Sequence, residues 1–223
     1  MPTFDRYGLF APVYDVLSAE APLYRAGRLA GIRLLKPERG SVAIDLGCGT
    51  GLNLPLLARA VGPAGLVLGI DSNPRMLAVA RRRIAKYPVG RVQLLEADAT
   101  TLDPERVRRM LTAAKRPPLA DALFASYTLS VIPGFEAAWD ATVALVAPGG
   151  RLGVVDVQPP RAAPLRPLAA VLPVVFGGAD LASQPWRLLE RDATDVVQHT
   201  LRDGHIVITA GTRRETVGAL PLR

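Results

Sequence analysis

Apolar residues gather along this chain in two rhythms. Unbroken runs at 41–46, 66–70, 91–96, 121–125 and 151–157 read as buried strands, and between them 52–61, 74–86, 103–114 and 135–146 carry apolar positions at helical spacing. Strand–helix alternation of this kind predicts a parallel sheet with right-handed crossovers, covered by helices. Local punctuation agrees. Asn73 is a good helix cap and Pro74 a good first helical residue. Pro117-Pro118 closes one helix, and Pro148-Gly149-Gly150 is predicted to end another before the fifth strand. Near the C-terminus, 194–201 and 205–210 flank Arg202-Asp203-Gly204 and read as a hairpin.

Two stretches depart from the alternation. Residues 4–36 predict two helices and hold Phe4, Tyr7, Phe10, Tyr14 and Tyr24. Residues 159–190 are rich in proline and apolar side chains, and 164–178 within them is the candidate lid over an acceptor pocket, with a core-covering or dimer helix as the alternative. Its low polarity points to a greasy acceptor, and Arg161 and Arg166 beside it suit a phosphate or an anionic membrane face.

Composition narrows the classes. At 223 residues, one domain with one full core is expected. No run of about 18 apolar residues exists, so no membrane span is expected, and the N-terminal residues lack the pattern of a secretory signal. Cys48 is the single cysteine and has no disulfide partner, as suits a reducing cytoplasm. Net charge is +7, carried by 24 arginines and three lysines. That balance favours an anionic partner, or reflects a biased composition. Arg81-Arg82-Arg83 and Arg106, Arg108 and Arg109 lie on predicted helices and read as solvated faces before they read as a nucleic-acid surface.

Candidate chemistry sits where the first strand meets its helix: Val42-Ala-Ile-Asp45-Leu-Gly47-Cys48-Gly49-Thr-Gly51. Glycines allow a sharp turn and the close approach of a ligand. A dinucleotide fold wants G-x-G-x-x-G around a pyrophosphate. Here the pattern is G-x-G-x-G beside an acid, which repels a pyrophosphate and suits the ammonium of S-adenosylmethionine. Asp71 ends the second strand and is placed to accept from both ribose hydroxyls, with a helix cap as the alternative that Ser72 and Asn73 fill better. Asp98-Ala99 follows the third strand and is placed for adenine, or for a simple turn.

Together these residues resemble the class I S-adenosylmethionine-dependent methyltransferases over about residues 40–157. A narrower likeness runs through Tyr14-Asp15, Gly27-Arg28, Gly51-Leu-Asn53-Leu54-Pro55 and Ser126-Tyr127-Thr-Leu-Ser130-Val-Ile-Pro133. It is nearest to bacterial phospholipid and betaine-lipid N-methyltransferases, and looser to the ubiquinone/menaquinone C-methyltransferases. The resemblance implies a Rossmann-like α/β fold with a seven-stranded, mostly parallel sheet, its last strand antiparallel, and an N-terminal helical extension. The single domain then divides into a cap (1–38), a cofactor-binding core (40–157), an acceptor-side insert (158–192) and the hairpin (193–211).

The expected cofactor-binding set is Tyr14, Arg28, Asp45, Gly47, Cys48, Gly49, Gly51, Asn53, Leu54, Asp71, Ser72, Met76, Asp98, Ala99 and Ser126. Tyr127 is the candidate for orienting the acceptor or contacting the sulfonium, or else a wall of the pocket. Arg28 suits the methionyl carboxylate, or else the surface. Methyl transfer from a sulfonium needs mainly alignment and desolvation, so a base is optional; His199 and His205 read first as packing or surface residues of the hairpin. No Cys/His cluster has metal-ligand spacing. The expected activity is methyl transfer from S-adenosylmethionine, leaving S-adenosylhomocysteine, to a small or lipid-like acceptor, with an amine headgroup the first candidate. RNA methylation, quinone or natural-product C- or O-methylation, and a non-catalytic partner protein stand as alternatives. Nucleic acid is the less favoured partner, and a homodimer and peripheral contact with an anionic membrane fit the composition.

Overall fold

The strand from Val42 to Leu46 (β1) is buried at every position because it has a parallel neighbour on each side. In the computed structural model, which describes residues 24–86, 91–161 and 178–215, it anchors a seven-stranded sheet in the order β3-β2-β1-β4-β5-β7-β6. The remaining strands are β2 (Leu66–Asp71), β3 (Arg91–Glu96), β4 (Ala120–Ser126), β5 (Val146–Val157), β6 (Ala193–Leu201) and β7 (Ile206–Arg213). β7 enters between β5 and β6 and runs antiparallel to both. The predicted hairpin is therefore the β6–β7 pair, and positive φ at Arg202, Asp203 and Gly204 makes its turn.

Among the described residues six helices flank the sheet: α1 (Arg25–Leu35), α2 (Leu54–Val61), α3 (Pro74–Lys86), α4 (Pro104–Ala113), α5 (Phe135–Val143) and α6 (Leu188–Asp192). Two apolar layers result. Trp139, Leu111, Val107 and Leu189 pack under one face, and Leu35, Leu54, Leu57, Leu77 and Phe124 under the other. Complete burial of a side chain such as Phe124 contributes about 1.5–3 kcal/mol. α1 lies close to the sheet because it has glycine where it touches; a Cβ at Gly31 would overlap Val155 and sit 3.0 Å from the Phe124 ring.

Three boundaries differ from the sequence pattern. α2 starts at Leu54 rather than 52, because Gly51 still belongs to the turn, at φ 79°. α5 stops at Val143, and β5 begins at Val146, ahead of Pro148-Gly149-Gly150. These three residues form an irregularity inside the strand: pairing with β4 jumps from Ala120↔Val146 to Ala122↔Arg151, and Gly149 has φ 79°. Asn73 caps α3 as expected, its Oδ1 accepting from the amides of Arg75 and Met76. Of the region 4–36 expected to form two helices, the described part holds α1. Tyr14, Asp15 and the lid candidate, apart from Gly178, lie outside the described residues, as does Arg166.

Candidate active site

The site forms where β1, β2 and β4 end together. Gly47, Gly49 and Gly51 take φ of 61°, 53° and 79°, the left-handed region that side chains strain to adopt. A Cβ on Gly47 would collide with the Thr128 hydroxyl, whereas one on Gly49 would meet nothing within 4 Å, so the turn is closed below and open above. Backbone bonds fix it: Cys48 N–H donates to Ile70 O at 3.0 Å and Gly51 N–H to Cys48 O at 2.8 Å. From α3, Arg83 Nε donates to Thr50 O at 2.9 Å.

Asp71 leans into this turn from β2. Its Oδ2 accepts from Gly49 N–H at 2.8 Å and its Oδ1 from Asn73 N–H at 2.9 Å. Each oxygen keeps a lone pair for a further donor. Burial pushes its pKa up, and the two amide bonds pull it back.

Asp45 is fully buried at the end of β1. Asn53 Nδ2 donates to its Oδ1 at 2.8 Å, but among the described residues Oδ2 has no hydrogen-bond partner. Around Asn53 the polar groups interlock. Its amide also reaches Ser126 Oγ at 2.9 Å, and Arg28 donates to Ser126 Oγ at 2.7 Å and to Asn53 Oδ1 at 3.2 Å. Burial raises the Asp45 pKa to about 7; the Asn53 hydrogen bond and the Arg28 charge work against that rise, and the Asp71 charge adds to it. A buried carboxyl with one unpaired oxygen is costly unless a ligand pairs it.

Tyr127 follows β4 with φ 53°, a conformation that costs on the order of 1–3 kcal/mol for a residue with a side chain. Its hydroxyl donates to Tyr24 O at 3.0 Å, its ring lies 4.9 Å from the Tyr24 ring, and the Arg28 guanidinium stands 5.0 Å from its centroid. Gly27 makes room for it, since any Cβ there would overlap the Tyr127 hydroxyl. Tyr127 thus braces α1 against the end of β4 and forms a wall beside Arg28.

The structure brings Arg28, Asp45, the three glycines, Asn53, Asp71 and Ser126 together. Other expected residues stand differently. Cys48 and Leu54 turn their side chains into the core beneath β2, against Gly69, so only their backbones line the turn. Burial raises the Cys48 thiol well above its ordinary range, which keeps it protonated. Met76 is buried on α3 and Ser72 is exposed. Asp98 caps the short 99–101 turn: its Oδ1 accepts from Thr100 N–H at 2.8 Å and Oγ1 at 2.7 Å, and Ala99 is buried beside it.

Sequence reading missed two features. Thr128 closes the floor under Gly47. Asp156, fully buried in β5, accepts from Ser130 N–H at 3.1 Å, Ser130 Oγ at 2.6 Å and Val157 N–H at 2.9 Å, which ties the segment after β4 to β5. Burial raises its pKa to about 6 against those bonds. The available signal was a lone carboxylate inside the apolar run Leu152–Val157. Among the described residues, no group of His, Cys, Asp and Glu is arranged to hold a metal ion.

These features fit an adenosyl amino acid. The unpaired Asp45 oxygen suits an ammonium, the open glycine turn suits close approach, and Asp71 at the next strand end retains acceptor capacity for a ribose. Comparison with known proteins agrees. Residues 43–150 match the family model described as "Methyltransferase domain". The chain is 31% identical over 157 residues to the 2-phytyl-1,4-naphtoquinone methyltransferase of Thermosynechococcus vestitus, an alignment covering 70% of this chain and 64% of that protein. It is 28% identical over 170 residues to the demethylmenaquinone methyltransferase of Lactobacillus johnsonii, covering 72% and 64%. The chain therefore spans just under two thirds of these relatives' length. Its fold matches the crystal structure of a SAM-dependent methyltransferase from Aquifex aeolicus with a TM-score of 0.58 and 15% identity, over 90% of this chain and 98% of that one. Motif, topology and relatives converge: residues 43–150 match a methyltransferase domain, and the chain as a whole is similar to the class I S-adenosylmethionine-dependent methyltransferases.

Proposed function

We propose that the protein transfers a methyl group from S-adenosylmethionine to a small or lipid-like acceptor. The unpaired Oδ2 of Asp45 carries this reading: it lies in a fully buried carboxyl beside an open glycine turn, with a second carboxylate at the next strand end. When bound, the sulfonium donor supplies an already activated methyl and leaving group. The chain's own task is to hold and align. Asp45 pairs the ammonium, Asp71 accepts from the ribose, and Arg28 stands ready for the methionyl carboxylate. Asn53 and Ser126 keep Arg28 and Asp45 from collapsing onto each other, since each is bonded to both Arg28 and its neighbour in the network. Tyr127 bounds the space that the acceptor enters. Alignment and exclusion of water then provide most of the acceleration.

Two acceptor classes have support. The Tyr14-Asp15 and Ser126–Pro133 likeness favours an amine headgroup, and the naphthoquinone and menaquinone relatives favour a quinol. Arg161, beside the insert, suits an acceptor drawn from an anionic membrane surface; among the described residues no helix is long and apolar enough to cross a membrane. The test is incubation with methyl-labelled S-adenosylmethionine and, in parallel, phosphatidylethanolamine vesicles or reduced 1,4-naphthoquinone. Label entering either supports the reading and names the class. No label in any acceptor, with no binding of S-adenosylhomocysteine, overturns it.

A further inference from the structure

Among the described residues at this end of the sheet, His205 is a buried titratable side chain to which the donor site gives no task. It lies in the β6–β7 turn, beside the end of β5, and is 1% exposed. Its ring is held firmly. Nδ1 lies 2.6 Å from Gln158 O, and Gln158 N–H returns a bond to His205 O at 2.9 Å. Gln158 Nε2 donates to Gly204 O, and Arg161 N–H to Asp203 O. A carbonyl oxygen only accepts, so Nδ1 carries the proton and Nε2 is a bare lone pair. That Nε2 is buried and has no hydrogen-bond partner among the described residues.

A buried acceptor without a donor costs on the order of 1–3 kcal/mol, which packing alone does not explain. Its position supplies a reason. Because β7 runs antiparallel to β5, its beginning lies at the edge of the sheet where β4 and β5 end. There the His205 ring is 6.3 Å from Tyr24, whose ring is 4.9 Å from Tyr127, under Arg28. A line of rings thus leads from the residues beside the cofactor turn to an unpartnered lone pair.

Resting on the methyltransferase reading above, we propose that His205 Nε2 accepts the hydroxyl of a phenol- or hydroquinone-type methyl acceptor and takes its proton during transfer. In that step the O–H bond breaks and its proton passes to Nε2. The oxygen's electron pair forms the new bond to the methyl carbon, and the carbon–sulfur bond breaks with its pair left on sulfur; the imidazolium later gives its proton to water. In attack through a ring carbon the hydroxyl proton again passes to Nε2, the ring carbon's electron pair forms the bond to the methyl, and His205 returns its proton to oxygen as that carbon gives its own proton to water. Burial lowers the imidazole pKa, which keeps Nε2 free at neutral pH. A weak base suffices, since the hydroxyl turns strongly acidic only as the methyl arrives. The two segments laced together there carry Arg161, whose side chain lies against Gly204, and Arg202 and Asp203 in the turn itself.

Paired substitutions separate this role from packing. Asn in place of His205 keeps a donor for Gln158 O and removes Nε2; Gln places an acceptor near the Nε2 position. With reduced 1,4-naphthoquinone as acceptor and saturating S-adenosylmethionine, H205N is expected to lose about 10²–10⁴-fold in kcat. H205Q retains acceptor KM but not kcat. Wild-type kcat/KM falls in acid as His205 is protonated, on a limb that lies below the ordinary imidazole range because burial lowers this ring's pKa, and H205N lacks that limb. Without turnover, 1-naphthol binds the wild type at least ten times more tightly than 1-methoxynaphthalene, and H205N loses that preference. S-adenosylhomocysteine binds all three proteins equally. An H205N variant with wild-type turnover and an unchanged acidic limb overturns the proposal. So does a variant that loses S-adenosylhomocysteine binding, which marks a structural role, and so does a wild type that binds S-adenosylhomocysteine yet methylates only amines. Failure of the wild type to bind S-adenosylhomocysteine at all refutes the methyltransferase reading itself.

Discussion

The two halves of the sheet's working edge are built on opposite plans. At the β1–β2–β4 end, polar groups crowd together and nearly all are paired: Asp71 takes two amides, and Asn53, Ser126 and Arg28 bond one another around Asp45. At the β5–β7 end fewer side chains bond one another. Asp156 is fully paired and structural, and His205, held through Nδ1 at Gln158 O, keeps a buried Nε2 without a partner among the described residues. A donor site that always receives the same charged molecule can be built in advance from carboxylates and glycines. An acceptor site needs mostly shape, with a few polar atoms left for the incoming group.

The comparison can be broken most forcefully at Gly47. Alanine there forces a left-handed residue and a clash with Thr128, so G47A should lower stability by about 4 kcal/mol and abolish cofactor binding. Chemical denaturation and calorimetry read both. Next comes D71A, which removes a charged acceptor and frees the Gly49 amide. The expectation is a loss of about 3 kcal/mol in S-adenosylhomocysteine affinity, roughly 100-fold, with acceptor KM barely changed. S130A probes the other half. It takes the hydroxyl from the buried Asp156 carboxyl and should cost about 2 kcal/mol, less below about pH 6, where that carboxyl gains its own proton. Smallest of all is R108A, which breaks the exposed Arg108–Glu105 pair and should change stability by less than about 0.5 kcal/mol.

The halves also differ in their response to pH. Asp45 holds its proton up to about pH 7 when folded and releases it near 4 when unfolded. The folded state binds more protons between those values, so this group makes stability fall as pH rises from about 4 to about 7. His205 works in the opposite sense. Its folded pKa is lowered, so stability is lost as pH falls below about 6.5. Melting curves across pH 4–8 should show D45N shedding the first trend and keeping the second.

Much of this was legible in the sequence, for reasons that differ by region. β1 throughout and β2 up to Ile70 are buried parallel strands, so their apolar runs stand out, and the glycine turn between β1 and α2 announces itself through residue types that few other conformations require. The start of β5 was obscured because Pro148-Gly149-Gly150 usually ends an element and here forms an irregularity inside one. Thr128 under Gly47 and Ser130 on Asp156 depend on contacts across the sheet, which spacing along one strand does not carry. His205 looked like an ordinary hairpin residue; only its partner at Gln158 and its lone Nε2 distinguish it.

Calorimetry of the wild-type protein with S-adenosylhomocysteine at pH 7, repeated in buffers of different ionisation enthalpy, addresses the central claim. The account predicts binding that releases a proton, as the ligand's ammonium lowers the Asp45 pKa, and a D45N variant that binds more weakly with no proton released. No heat with either S-adenosylmethionine or its product, alongside firm binding of a nicotinamide nucleotide, would contradict it.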